Sequence, residues 1–190
     1  MQICNIGLPE KRNIMRIVKK LTDNRFLNIK EVKDPENNVR GYQFAERLGK
    51  DSIAFILWDS VEEQFLLNRE FKPPLGEFIL GAFGGSMDKD KSPEEIVIAE
   101  VKEEAGFVVT KEQVYLVGEV MVSTQMNQFC KLYLVEVDKK NQDEREPENA
   151  IEEMATTEWV EWDESELAKL RDWKPLAIIF MAQGKKILPL

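Results

Sequence analysis

The sequence predicts a mixed α+β domain, and three observations carry that expectation. Short runs rich in β-branched and aromatic residues recur along the chain and outnumber its helical segments. One helical segment, residues 93–105, has clear start and stop signals and interrupts the strand runs. The 190 residues are 43% hydrophobic, which suits one domain with a core and a small added lobe.

Taken in order, "KRNIMRIVKKL" (11–21) puts Ile14, Ile17, Val18 and Leu21 on one face of an expected amphipathic helix. "RFLNIKEVK" and "RGYQFAERL" alternate like strands around the turn-rich "DPENN". "SIAFILWD" (52–59) is a continuous apolar run, as in a strand buried on both faces, and "QFLLNREF" (64–71) pairs with it as a hairpin. "EFILGAFGG" (77–85) reads as one more strand. Ser92, Pro93 and Glu95 then form a capping box with proline at the first helical position, and Gly106 ends the helix. "VYLVGEVMVS" (114–123) and "QFCKLYLVEVD" (128–138) are strand-like, and "KKNQDEREPENA" (139–150) is a charged loop. "DESELAKLRDW" (163–173) and "PLAIIFMAQGKKIL" (175–188) are expected as helices.

Composition excludes several functions. The net charge of −9 argues against a sequence-independent grip on nucleic acid, which needs excess Lys and Arg. The chain has no histidine, which removes His-based acid–base chemistry and His-ligated metals. Cys4 and Cys130 make neither a zinc site nor a disulfide framework and are expected as reduced thiols. The N-terminus lacks a signal-peptide pattern, and no apolar run reaches the ~20 residues a bilayer requires. The expectation is a cytoplasmic protein with no membrane partner.

"AEVKEEAG" (99–106) is the unusual stretch. At about 100° per residue, Glu100, Glu103 and Glu104 cover an arc of roughly 100° beside the apolar arc of Val97, Ile98, Val101 and Ala105. Like charges at these spacings cost about 0.2–0.5 kcal/mol per pair. Acids in the last turn also oppose the helix dipole, at a few tenths to about 1 kcal/mol each. A solvated acidic face is one explanation. A divalent cation, Mg²⁺ or Mn²⁺, is the other: it removes both penalties, takes oxygen ligands and bridges to phosphates. Gly84 and Gly85, just before the helix, let backbone approach a ligand closely.

Gly85 to Phe107 resembles a Nudix box, G-x5-E-x7-R-E-U-x-E-E-x-G-U with U bulky and apolar. Gly85, Glu100, Val101, Glu103, Glu104, Gly106 and Phe107 match at the required spacing. Lys91 stands where the family has Glu, and Ala99 where it has Arg. Loss of both together leaves no buried charge without its partner, and Lys91 is free to pair with Glu95 or face solvent. "FAERLGKDSIAFILWD", "FLLNREFKPP", "GAFGGSMD" and "STQMNQFCKLYLVEV" follow the order seen in ADP-ribose and nucleoside-diphosphate-sugar pyrophosphatases.

The resemblance implies a Nudix fold, a mixed sheet sandwiched between helices, with residues 51–190 as the hydrolase domain. Residues 1–50 would be a helix-and-strand region that dimerises, where Phe26, Tyr42 and Phe44 fill the core or stack a base. It implies Mg²⁺- or Mn²⁺-dependent hydrolysis of the pyrophosphate bond in a small nucleoside diphosphate derivative, by a homodimer. Glu100, Glu103 and Glu104 would hold the cation, with the Phe83 carbonyl by analogy. Arg47 and Lys72 would contact the diphosphate, and Gly84 and Gly85 the substrate. The base that accepts the water's proton would be a helix glutamate, Glu100 or Glu103, or the loop's Glu146 or Glu148; Glu144 lies in the same loop. Lys91 and Ala99 leave open an alternative, a module that binds nucleotide with weak or no cleavage.

Overall fold

Strand β4 (Ser52–Asp59) organises the larger part of the molecule, and its sequence explains why. Ile53 to Asp59 are all buried, so both faces of the strand are covered. The computed structural model describes residues 17–188 apart from 35, 37, 48, 50, 88 and 89. Cα packing divides them into two units.

The first unit comprises β1 (Ile17–Lys20), β2 (Leu27–Asp34) and β3 (Val39–Arg47), an antiparallel meander with a bulge between Val32 and Lys33. Ser123–Asn127 belongs with it. Gln125 O accepts the Ala45 N–H at 2.7 Å, and Thr124 O accepts the Tyr42 hydroxyl at 2.9 Å. Of the helix expected over 11–21, residues 11–16 lie outside the described residues. Ile17–Lys20 is a strand, because its backbone groups pair with Lys30–Lys33 of β2. Tertiary pairing overrides a helical spacing that only a few residues support.

The second unit begins at Gly49 and holds the remaining elements. They are β5 (Gln64–Lys72), β6 (Glu77–Gly81), β7 (Phe83–Ser86), α1 (Pro93–Glu100), β8 (Val114–Met121), β9 (Phe129–Glu136), α2 (Ala150–Met154), β10 (Thr156–Glu161), α3 (Glu164–Leu167) and α4 (Trp173–Gly184). The sheet runs β10-β5-β4-β9-β8, with β6 on β5 and β7 on β4. β4 and β9 are parallel and the other neighbours antiparallel, so the sheet is mixed.

Alternation along β5 sorts the two faces. Phe65 and Leu67 join a core with Ile56, Trp58, Leu132 and α4's Ile178, Ile179 and Ala182. Leu66 joins the opposite core, with Phe55, Leu57, Tyr133 and α1's Ile96 and Val97. Helices thus cover both faces, as expected for the α+β sandwich. Among the described residues no helix is long and apolar enough to cross a membrane.

Five local expectations are corrected. The run 77–85 is two strands, because the chain leaves β5 at Gly81 and joins β4 at Phe83. β4 and β5 pair only over Leu57–Asp59 and Gln64–Leu66, and beyond that β6 on β5 and β7 on β4 fill the fork between them. The helix 93–105 is α-helical only to Glu100 and continues as a π turn, Val101–Ala105. The charged loop ends in α2, capped by Asn149. The helix expected over 163–173 is four residues long, Glu164–Leu167, and Asp172 caps α4 instead.

Candidate active site

The acidic segment is built on α1. Ser92 Oγ accepts the Glu95 N–H at 3.3 Å, and Glu95 returns a carboxylate to the Ser92 N–H at 2.7 Å. Those contacts, with the charges of Lys111 and Lys91, hold the Glu95 carboxyl below its ordinary range. Lys91 is therefore an exposed neighbour of Glu95. Ile96, Val97, Val101 and Ala105 bury the opposite face.

The π turn sets the carboxylates. An i→i+5 turn is wider than an α turn, so the even spacing of about 100° per residue expected for Glu100, Glu103 and Glu104 does not carry through Val101–Ala105. Among the described residues no three acidic side chains are gathered in closed ligating geometry. Glu104 is 8% exposed. It accepts the N–H of Gly84, and its Oε2 has no hydrogen-bond partner. Burial, then the negative charges of Glu100, Glu152 and Glu70, push its carboxyl up to about 8. Glu100 lies against Gly85: a Cβ built there would sit 2.6 Å from Glu100 Oε1, so a larger residue would push the Glu100 carboxylate aside.

The loop after β9 closes the turn. Its donors take carbonyls that a helix end leaves orphaned. The Glu146 N–H binds Glu103 O at 2.9 Å, Gln142 Nε2 binds Ala105 O at 3.1 Å, and the Asp143 N–H binds Gly106 O at 2.7 Å. Lys102 Nζ pairs with the Glu146 carboxylate at 3.0 Å. Positive donors at this end offset part of the dipole that opposes the glutamates.

The other expected residues fall as follows. Glu148 gives its N–H to the Glu152 carboxylate at 2.7 Å, at the start of α2. Lys72, at the end of β5, pairs with Glu70 at 2.6 Å. Phe83 opens β7, with its ring stacked on Phe55 at 5.2 Å. Arg47 ends β3 in the first unit.

Two carboxylates beside Glu104 escaped the sequence reading, Glu70 and Glu152. The signals existed. Counting in twos from Leu66 puts Asn68 and Glu70 on the α1 side of β5. Asn149 and Glu152 have the spacing of a helix cap and its third helical residue. Asn68 is 4% exposed, and its Oδ1, like Glu104 Oε2, has no hydrogen-bond partner.

A buried, unpartnered carboxylate oxygen surrounded by further carboxylates is costly without a cation. The donors are hard oxygens, which fits Mg²⁺ or Mn²⁺. Glu100 and Glu104 would contribute oxygens, with waters and substrate oxygens completing the shell.

The NUDIX domain model matches residues 50–180. The chain is 24% identical over 148 residues to a protein of Schizosaccharomyces pombe named as an uncharacterized Nudix hydrolase, covering 69% of this chain and 68% of that one. It is 25% identical over 182 residues to the ADP-ribose pyrophosphatase of Saccharomyces cerevisiae, covering 87% of this chain and 76% of the relative. The crystal structure of an ADP compounds hydrolase superposes with a TM-score of 0.65 at 16% identity, covering 90% of this chain and 91% of that one.

Proposed function

Because the chain belongs to the NUDIX family and is a hydrolase, we propose that it cleaves the pyrophosphate bond of a nucleoside diphosphate linked to a second group, ADP-ribose first among them. The observation that carries this reading is Glu104: buried, adjacent to Glu100 and short of one partner. Glu100 and Glu104 hold the Mg²⁺ or Mn²⁺, with Glu103 and the Phe83 carbonyl as the remaining candidate ligands. A divalent cation there supplies charge neutralisation of the phosphates and a lower pKa for attacking water.

The chain's own residues do the rest. Gly84 orients Glu104 through its N–H, and Gly85 leaves room for Glu100. Lys72 meets a diphosphate by leaving Glu70, and Arg47 is the second cation assigned to it. The water's proton goes to a carboxylate of α2 or the loop before it: Glu152, Glu146 or Glu148. Glu152 is favoured, since its charge reaches Glu104.

A homodimer through the first unit is supported by its exposed apolar side chains, among them Val18, Phe26, Leu27 and Tyr42. A small-molecule substrate suits a cytoplasmic protein.

The test is a panel of nucleoside diphosphate derivatives with Mg²⁺, reading phosphate after phosphatase coupling. ADP-ribose or a nucleotide sugar is expected to turn over, and Glu152→Gln to lower kcat more than Glu146→Gln or Glu148→Gln. Tight nucleotide binding without product under any divalent cation would instead favour the non-cleaving module.

A further inference from the structure

The break between β6 and β7 is held by a residue far away in sequence. Ala82 stands between strands that pair with different neighbours, and it belongs to neither ladder. It is 6% exposed, so an unmet N–H there would be costly. Asp172 meets it: Oδ2 accepts the Ala82 N–H at 3.1 Å and Lys174 Nζ at 3.0 Å. Its Oδ1 accepts the Lys174 N–H at 3.2 Å and so caps α4. A Cβ on Gly81 would lie 2.4 Å from Asp172 Oδ2, so this approach requires glycine. The adjacent Arg171 grips the other end of β6, through two bonds to Glu77 at 2.9 and 2.8 Å.

We propose that Asp172 is a positioning residue for the acidic site, acting through Ala82 on the first peptides of β7. The inference rests on the reading that Glu100 and Glu104 hold a divalent cation. The β5 ladder fixes β6 and the β4 ladder fixes β7, but neither fixes the dihedral angles that join them. The bond to Ala82 does. The next residues are Phe83 and then Gly84, whose N–H sets Glu104, and Gly85, against which Glu100 lies. A rotation at Ala82 therefore strains the start of the β7 ladder, from which Phe83, Gly84 and Gly85 present three parts of the site. Partners of this outer kind cost about 10- to 100-fold in metal affinity or activity when lost.

The experiment measures Mn²⁺ binding to the full chain by electron paramagnetic resonance, with kcat and KM alongside. Asp172→Ser keeps a cap for α4 but its side chain is too short to hold Ala82. Gly81→Ala keeps Asp172 and displaces its carboxylate. Both are expected to weaken Mn²⁺ binding and lower kcat by about 10- to 100-fold, with a smaller change in KM. Asp172→Asn keeps one acceptor oxygen, enough for the Ala82 N–H at the expense of the α4 cap, and is expected to bind Mn²⁺ much as the wild type does. Arg171→Ala, the structural control, is expected to leave binding unchanged.

Thermal melts identify which variants are folded. Folded Asp172→Ser and Gly81→Ala proteins with wild-type Mn²⁺ affinity would overturn the proposal, as would an Arg171→Ala defect of equal size. If the wild type bound no Mn²⁺, the metal reading itself would fail. Amide exchange in metal-free protein then judges Asp172 separately: Gly84 should exchange faster in Asp172→Ser, and unchanged exchange overturns the inference.

Discussion

Replacing Glu104 by glutamine should stabilise the metal-free protein at neutral pH while abolishing turnover. The folded chain holds the Glu104 proton to about pH 8, against an ordinary carboxyl value of 4.5. Above pH 4.5 the unfolded chain has released that proton and the folded chain has not. Raising the pH therefore favours unfolding until about pH 8, where the penalty levels off. At about 1.36 kcal/mol per pH unit, the penalty is roughly 3 kcal/mol at pH 7 and below about 1 kcal/mol at pH 5. Glutamine carries no such charge, still accepts the Gly84 N–H, and offers an amide to the carboxylates around it. The assay is urea unfolding followed by tryptophan fluorescence, in EDTA, at pH 5, 6, 7 and 7.5. The stability difference between variant and wild type should grow with pH by about 3 kcal/mol over that span. Adding Mg²⁺ should stabilise the wild type and leave the variant unmoved. A variant less stable than wild type at pH 7.5 in EDTA, or a difference that ignores pH, would refute the account of Glu104 as a buried carboxyl that holds its proton to about pH 8.

Other substitutions probe neighbouring contacts. Gly85→Ala puts a methyl 2.6 Å from Glu100 Oε1; overpacking should cost about 1–3 kcal/mol in a thermal or urea melt and lower kcat far more than it alters KM. Asp59 is 1% exposed and accepts the N–H groups of Val61, Glu62 and Lys139 at 2.8, 3.0 and 2.7 Å. Burial raises its carboxyl, but those three bonds outweigh burial and hold it below its ordinary range. Its stabilisation should be present above the ordinary carboxyl range and fade as pH falls through its depressed folded value. Asp59→Ala should destabilise by about 2–4 kcal/mol in urea yet leave kcat per folded molecule unchanged. Lys102→Ala removes an exposed ion pair, so stability should move by less than about 1 kcal/mol in the same titration.

The sequence made β4, β5, β9 and the start of α1 legible for identifiable reasons. β4 is an unbroken apolar run, and Ser92, Pro93 and Glu95 spell out a helix start in local chemistry alone. The π turn was not legible, because its width depends on contacts from afar: Gln142 and Glu146 hold carbonyls of residues 103 and 105. The break at Ala82 was hidden for the same reason, since "EFILGAFGG" is uniformly strand-like and only Asp172 and the fork between β4 and β5 divide it. β10 escaped because "TTEWVE" lies between acidic segments, and its strand character comes from pairing with all of Gln64–Arg69. Within the site, the box spacing gave Glu100, Glu103 and Glu104 but not their arrangement. Glu70 and Glu152 come from a strand and a short helix distant in the chain, and only the fold brings them near Glu104.

This arrangement explains why an acidic helix end survives in a protein with a net charge of −9. A surface site with the same charges would be screened and cheap to keep, and would hold a cation weakly. Burial makes the same carboxylate costly when empty and strongly binding when a cation arrives, because both effects scale with the loss of water around it. The cost is met by the rest of the second unit, whose sheet is covered by an apolar core on each face. Donors from the loop lessen it further, by satisfying the carbonyls of the turn on which Glu104 sits. On the proposed reading, a site assembled this way should gain stability on binding a divalent cation in proportion to how much Glu104 destabilises the empty fold, so that the two measurements, made on one protein, constrain each other.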